Sequence, residues 1–142
     1  MYLLDTNVLS ETVRPVPDAR VAAALGKQRT RDLCASVVSR YELRYGASLR
    51  QDADRFWARL QRGLFPVVAS WLPVSAEIAE RGGKIGADLR RKGREAGDLD
   101  PLLAAIWNGK TREVCTTVLP FQSLEHVGHA LESHGNRALH LP

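Results

Sequence analysis

The sequence has few cysteines and no long apolar run, and each shortage excludes a class of protein. Cys34 and Cys115 are its two cysteines, too few for the disulfide framework that stabilises small secreted domains. Both lie in apolar stretches, which predicts buried free thiols and a reducing compartment. No apolar run approaches the ~18 residues of a membrane span. The first residues also lack the basic segment and following apolar segment of a secretory signal peptide. We therefore expect a cytoplasmic protein with no membrane-bound segment.

Acidic residues are also in the minority. Lys and Arg number 20 against 16 Asp and Glu, which gives a formal net charge of +4. Hydrophobic residues make up 44% and charged residues 25% of the 142 positions, values typical of a globular protein rather than a disordered one. The length fits a single domain over residues 1–142. The basic excess is compatible with binding to a nucleic-acid backbone, although many basic proteins bind no nucleic acid.

Short apolar runs alternate along the chain with segments of helical periodicity. Strands are expected at residues 2–4, 33–38, 71–74 and 113–118. Helices are expected at residues 19–27, 38–49, 53–65, 76–94 and 99–107. Asp18 is the expected N-cap of the first of these helices, and Ser75 that of the fourth. Glycines weaken the helix expected at 76–94. In the helix at 38–49, one face is predicted to carry Val38, Tyr41, Tyr45 and Leu49. The alternation predicts an α/β sandwich with a mostly parallel central sheet.

Three acidic residues lie far apart in sequence but in similar local positions. Asp5 follows the first apolar strand, Glu42 lies in the helix SRYELRYG, and Asp100 directly precedes Pro101 and the run LLAA. In open α/β sheets, functional sites form outside the carboxyl ends of the strands, where these acids could converge. Packed carboxylates repel one another unless a cation lies between them. Mg²⁺ or Mn²⁺ prefers such oxygen ligands and can activate water for attack on a phosphodiester.

Each of these acids also has a purely structural interpretation. Asp5 could cap a turn with Thr6 and Asn7, and Glu42 could be a solvated helix residue. Asp100 before Pro101 is typical of an N-cap followed by proline at the first helical position. Capping and metal binding are compatible, so the residues alone leave both interpretations open.

Three segments resemble the motifs of one protein family, in the family's order and spacing. MYLLDTNVLSE is similar to the first motif of PIN domains, an apolar strand followed by Asp-Thr-Asn. ASVVSRYELRYGA resembles the second, with Glu42 before Leu43 and Gly46 further along the helix. GDLDPLLAAI resembles the third, an Asp shortly before an apolar-Ala-Ala run. The resemblance covers residues 1 to about 117 and is nearest to the VapC and FitB-like toxins of type II toxin–antitoxin systems.

The resemblance implies a three-layer α/β/α sandwich and Mg²⁺- or Mn²⁺-dependent cleavage of RNA. It also implies a homodimer inhibited by a cognate antitoxin, with a hetero-oligomer of the two on operator DNA. Asp5, Glu42 and Asp100 match the family's catalytic, metal-binding acids, and Thr6 is expected to support them by hydrogen bonding. Asp98 is the alternative third acid, but Asp100 is preferred because it directly precedes PLLAA.

The family's fourth motif is incomplete in this chain. It consists of a strand ending in Thr, a variable residue, then Asp or Asn, with an aromatic residue shortly after. In CTTVLPF, Thr116 and Phe121 match, but Val118 stands where the acid or amide is expected, and residues 122–142 do not resemble the usual closing strand. Loss of such a ligand or orienting group can cost about 10–100-fold in metal affinity or activity. The alternative is therefore a catalytically weakened PIN scaffold that acts as an antitoxin-binding module.

Other signals in the sequence support weaker hypotheses. A haloacid-dehalogenase-like phosphatase requires a second Asp where this chain has Asn7, and the segment GKT lacks the earlier glycine of a phosphate loop. His126 and His129 have the spacing of a metal-binding pair, but a solvated tail is the preferred interpretation. The basic run at residues 90–94 fits either a solvated helix end or a surface that attracts RNA.

Overall fold

The computed structural model describes residues 2–94, 97, 99–110, 113–117 and 137–141, with side chains through residue 107. Its strands are β1 (Tyr2–Leu4), β2 (Leu33–Ser36), β3 (Ser70–Leu72), β4 (Glu113–Thr117) and β5 (Arg137–Leu141). Its α-helices are α1 (Thr6–Glu11), α2 (Ala19–Gly26), α3 (Val37–Ser48), α4 (Ala53–Gly63), α5 (Ala76–Arg91) and α6 (Asp100–Lys110). In this part of the chain, no helix is long and apolar enough to cross a membrane.

The five strands form one sheet in the order β3-β2-β1-β4-β5, and every pairing between them is parallel. Strand β1 is central, with Leu4 in register with Ala35 on one side and Cys115 on the other. The predicted mostly parallel sheet is confirmed. Because all the strands run the same way, their carboxyl ends lie along a single edge, and Asp5 is the first residue beyond the central strand.

Neighbouring residues of the strands belong to two separate hydrophobic cores. Leu3 and Cys34 pack with residues of α5 and α6, including Ile78, Leu89 and Ile106. Leu4 and Ala35 pack with residues of α1, α2 and α4, including Val8, Val21 and Leu60. This alternation, with helices covering both faces, is the arrangement that an all-parallel sheet needs. The predicted three-layer α/β/α sandwich is confirmed.

Gly82 explains why α5 and α6 lie so close together. Helix α5 begins after Ser75, whose hydroxyl accepts from the Ile78 N–H at 3.3 Å, as predicted. It continues through Gly82 and Gly86, where the sequence predicted a weakness. A Cβ on Gly82 would lie 2.9 Å from Leu102 Cδ2 and 3.3 Å from the Pro101 carbonyl oxygen. Glycine is retained there because it lets the backbone of α6 approach.

The predicted apolar face of α3 is largely wrong. Val38 is buried, but Tyr41, Tyr45 and Leu49 are 60%, 58% and 72% exposed. The inner face consists instead of Val38, Ser39, Leu43 and Ala47. Ser39 can be buried because its hydroxyl pairs with that of Ser36 at 3.1 Å. Because Ser39 is polar, a count of apolar positions does not assign it to the buried face of the helix, and the face is therefore misidentified.

The sequence predicted a solvated tail without a closing strand at residues 122–142, and this prediction is wrong in part. Arg137–Leu141 forms β5 and pairs in parallel with all five residues of β4. This pairing provides hydrogen-bond partners for backbone groups that would otherwise form an open sheet edge. Residues 118–136 lie outside the described part of the chain, and with them Val118, Phe121, His126 and His129.

Candidate active site

Asp5 lies at the carboxyl end of the central strand and is 5% exposed. Its Oδ1 accepts a hydrogen bond from the Val8 N–H at 2.7 Å and so caps α1. The capping role considered for Asp5 is therefore correct. This cap fixes the carboxylate in one orientation at the edge of the sheet, where the sequence placed the first of its three acids.

Glu42 is attached to the same region through Thr6. The Thr6 Oγ1 donates to Glu42 Oε2, which is the supporting hydrogen bond predicted for Thr6. The contact follows from the topology: α1 leaves β1, α3 leaves the adjacent parallel strand β2, and the two helices pack together. Glu42 is half-buried and held by a partner, so it is not simply a solvated helix residue.

Asp100 begins α6, which precedes β4 in the chain. The helix returns along the sheet over a length of about 15 Å, since each residue adds about 1.5 Å. That length fits a first residue at the level of the carboxyl ends of the strands. The predicted N-cap role is wrong in detail. Asp100 is instead the first residue of α6, and its Oδ2 accepts from the Gly97 N–H at 2.8 Å, in the segment just before the helix. Asp98 lies outside the described residues.

Asp5 and Glu42 lie at this edge of the sheet, but the three acids are not gathered into a single compact group of described side chains. Among the residues described with side chains, no set of three His, Cys, Asp or Glu residues is close enough to hold a metal ion. The Thr6 hydrogen bond brings Glu42 to the segment that follows Asp5. Such a pair fits Mg²⁺, which commonly uses one or two protein carboxylates and completes its shell with water and substrate phosphate.

Cys34 takes no part in this chemistry. Its Sγ donates to the Tyr2 carbonyl oxygen at 3.1 Å, and the side chain is fully buried. Burial raises the pKa of the thiol to about 11, so it stays protonated and unreactive at neutral pH. The prediction of a buried free thiol is confirmed for Cys34. The side chain of Cys115 lies outside the described part.

A cleft of about 470 Å³ opens between α1, α3 and α4, with Thr6 and Glu42 in its wall. Its other lining residues include three arginines: Arg14, Arg50 and Arg59. Sequence reasoning missed these arginines, because they are far apart and belong to no motif. The overall basic excess was the one sequence feature that pointed towards them.

The buried side chain of Glu11 was missed as well. It is 8% exposed and pairs with Arg14 at 3.0 Å. Its Oε1 also accepts from the Asp18 N–H at 2.9 Å, which ties the end of α1 to the start of α2. Asp18 in turn caps α2 as predicted, and its hydrogen bonds from Arg20 lower the pKa of its carboxyl to about 2.

Sequence comparison finds several similar proteins. Toxin FitB of Neisseria gonorrhoeae is 33% identical over 120 residues, covering 82% of this chain and 86% of the relative. VapC ribonuclease Y4jK of Sinorhizobium fredii is 30% identical over 109 residues, covering 74% of this chain and 78% of the relative.

The fold is similar to solved structures as well. The crystal structure of FitAcB from Neisseria gonorrhoeae matches with a TM-score of 0.78 and 27% identity, covering 98% of this chain and 96% of that chain. The structure of FitAB bound to an IR36 DNA fragment matches with a TM-score of 0.77 and 26% identity, covering 99% and 94%. The PIN domain family itself matches residues 2–108. This chain is a member of the PIN domain family.

Proposed function

We propose that this protein is a Mg²⁺- or Mn²⁺-dependent endoribonuclease, the toxin of a toxin–antitoxin pair. One observation carries the proposal: a buried carboxylate, Asp5, ends the central strand, and Thr6 holds Glu42 in the wall of the adjoining cleft. The relatives named as a toxin and as a ribonuclease support the same activity. The substrate is RNA, and the site of action is the cytoplasm.

In this proposal Asp5, Glu42 and Asp100 are the catalytic residues and supply the oxygen ligands of the ion. When bound there, a divalent cation activates water and neutralises the charge that develops on the phosphodiester. The cap to Val8 holds the Asp5 carboxylate rigid, and the Thr6 hydroxyl orients that of Glu42. Asp100 contributes from the start of α6, at the same edge of the sheet. Precise positioning of this kind is what keeps reacting groups in a productive geometry.

We further propose that a cognate antitoxin protein inhibits the enzyme, and that the two form a hetero-oligomer on operator DNA. The similarity to FitAB bound to a DNA fragment supports both points. An antitoxin that covers the cleft beside Glu42 would block substrate entry without altering the acids.

The activity is tested with purified protein and single-stranded RNA. We expect cleavage in Mg²⁺ or Mn²⁺, loss of cleavage in excess EDTA, and recovery when the ion is restored. Expression without an antitoxin is expected to slow growth. A cleavage activity that EDTA leaves unchanged would contradict the metal mechanism.

A homodimer is the assembly that we propose, with the exposed stripe of α3 at its interface. Tyr41, Tyr45 and Leu49 follow one another at four-residue steps, and the two tyrosine rings stack with centroids 6.3 Å apart. Exposed apolar patches commonly mark interfaces, and a two-fold axis lets one such patch pair with its own copy. We expect Tyr45→Glu to convert the dimer to a monomer in light scattering after gel filtration.

The matched control for the dimer is Val16→Glu, at a position that is 84% exposed and does not belong to α3. It adds the same charge and should leave the dimer intact. An equal effect of both substitutions, or a wild-type protein that is monomeric at high concentration, would show that the stripe is not a dimer interface.

The second candidate function is an antitoxin-binding module with weakened catalysis. Val118 in place of the family's acid or amide favours it, as does the absence of a compact three-acid group among the described side chains. The two candidates differ in one measurement. The enzyme cleaves RNA in Mg²⁺ at a rate far above that of its Asp5→Asn variant, whereas the module binds its partner but shows no such difference.

A further inference from the structure

The cleft beside Glu42 holds more positive charge than the proposed metal chemistry uses. Arg14, Arg50 and Arg59 contribute three guanidinium groups to its lining, against the single carboxylate of Glu42. Arginine is well suited to phosphate, because its planar group offers five N–H donors in a fixed fork. Two of these arginines form ion pairs, but each such pair leaves several N–H donors available to a ligand.

Arg14 is held in place by a buried partner. Its Nη1 lies 3.0 Å from Glu11 Oε2, and the side chain of Glu11 is 8% exposed. Glu11 is itself fixed by the hydrogen bond from the Asp18 N–H. A guanidinium anchored in this way loses little conformational entropy when an anion binds.

Arg50 and Arg59 share an aromatic support. The guanidinium carbons of Arg50 and Arg59 lie 4.4 Å and 5.1 Å from the ring centroid of Phe56, within the range of cation–π attraction. The Arg50 Nε also donates to Asp52 Oδ1 at 2.7 Å. Arg59 makes no ion pair with any residue in the described part of the chain. The ring therefore holds two cations at the cleft, and Asp52 is a nearby negative charge for both.

We propose that Arg14, Arg50 and Arg59 form a phosphate clamp that binds single-stranded RNA next to the cleavage site. This deepens the proposed ribonuclease function and rests on it. A cleft of about 470 Å³ has room for a short stretch of one strand and is too small for a duplex. A strand whose scissile phosphate reaches the acids at Glu42 continues along the cleft, where its next phosphate meets the arginines.

The same charge pattern argues against an acidic peptide as the occupant. A peptide carboxylate that entered the cleft would approach Glu42, and like charges repel. An RNA strand instead places a divalent cation between its phosphate and the acids, and arginines against the phosphates further along. One carboxylate, Glu42, beside three arginines therefore matches a nucleic-acid strand that binds with its metal ion.

The clamp is tested with Arg59→Ala, a change at an exposed residue. Binding of a fluorescein-labelled single-stranded RNA of mixed sequence is followed by anisotropy in Mg²⁺, with Asp5→Asn present in every protein compared so that the RNA is not cleaved. We expect Kd to rise about tenfold, the effect of losing one charge-assisted hydrogen bond. The slope of log K against log salt should fall by about 0.7, as for one lost phosphate contact on a single strand. In Mg²⁺, KM should rise while kcat stays near its wild-type value.

The matched control is Arg62→Ala, which removes the same charge from the same helix outside the cleft. It should change Kd less than twofold, and Arg59→Lys should restore part of the binding. Thermal melts of all three variants verify folding. Equal effects of Arg59→Ala and Arg62→Ala, in a wild-type protein that does cleave RNA, would overturn the clamp alone.

Three further outcomes distinguish a failure of the clamp from a failure of the proposed ribonuclease function. A wild-type protein that neither binds nor cleaves RNA overturns the proposed ribonuclease and the clamp together. If Arg59→Ala leaves RNA binding unchanged but releases a co-purifying protein partner, the cleft is a peptide site and the RNA clamp is wrong. Tighter binding of the RNA duplex than of the single strand also contradicts the clamp.

Discussion

Asp5→Asn is expected to abolish metal-dependent RNA cleavage while the protein stays folded. The substitution removes one negative charge from the proposed metal site, and we expect a loss of at least about 100-fold, the upper range for perturbing even an outer group of a metal site. Asparagine caps a helix as well as aspartate does, so its side-chain oxygen can still accept from the Val8 N–H. The measurement is initial cleavage rate against Mg²⁺ concentration, with circular dichroism as the test of folding.

Asp18→Asn is the matched control, because Asp18 also caps a helix through its side chain and lies outside the cleft lining. It loses the same charge and should cleave RNA at the wild-type rate. Asp5→Ala is a poorer choice, since losing the cap costs about 1 kcal/mol and mixes stability with catalysis. Cleavage by Asp5→Asn at the wild-type rate would remove Asp5 from the mechanism and leave it a structural cap.

The sequence predicted the layers of the fold well, because the fold rests on local apolar patterns. Tyr2–Leu4 and the helix after Ser75 were recognisable from one run of residues and one capping side chain each. The Thr6 hydrogen bond was predictable only through the family resemblance, because it joins residues 36 positions apart. The arginine cleft depends on where α1, α3 and α4 meet, and no local sequence pattern records that.

Two other errors have a common physical origin. The exposed tyrosines of α3 and the closing strand β5 both depend on what a segment packs against rather than on its own composition. Tyr41 and Tyr45 are apolar enough to be counted as core, yet their side of α3 faces away from the sheet. Arg137–Leu141 carries polar residues and is a strand because the edge of β4 provides its backbone partners. Tertiary context routinely overrides intrinsic propensity in this way.

Gly82→Val is expected to destabilise the fold more than any exposed change in α5. A Cβ at this position would come within 2.9 Å of Leu102 Cδ2 and 3.3 Å of the Pro101 carbonyl oxygen. The leucine can rotate, but the carbonyl belongs to the first turn of α6 and moves only with that helix. Overpacking of this kind costs about 1–3 kcal/mol, and the two branches of valine place the effect at the upper end. The free energy of unfolding is measured by urea titration monitored by circular dichroism.

Gly83→Val tests whether packing, rather than helix propensity, causes the loss. Gly83 is the next residue of α5, and a Cβ there meets nothing within 4 Å. Valine is a slightly better helix former than glycine, so this variant should stay within about 0.5 kcal/mol of wild type. Because α6 begins with Asp100, a displaced α6 also moves the proposed third acid. We therefore expect folded Gly82→Val to lose RNA cleavage at temperatures where Gly83→Val keeps it. Equal stability of the two variants would mean that α5 and α6 do not pack so closely that residue 82 must be glycine. The position of Asp100 would then depend on other contacts.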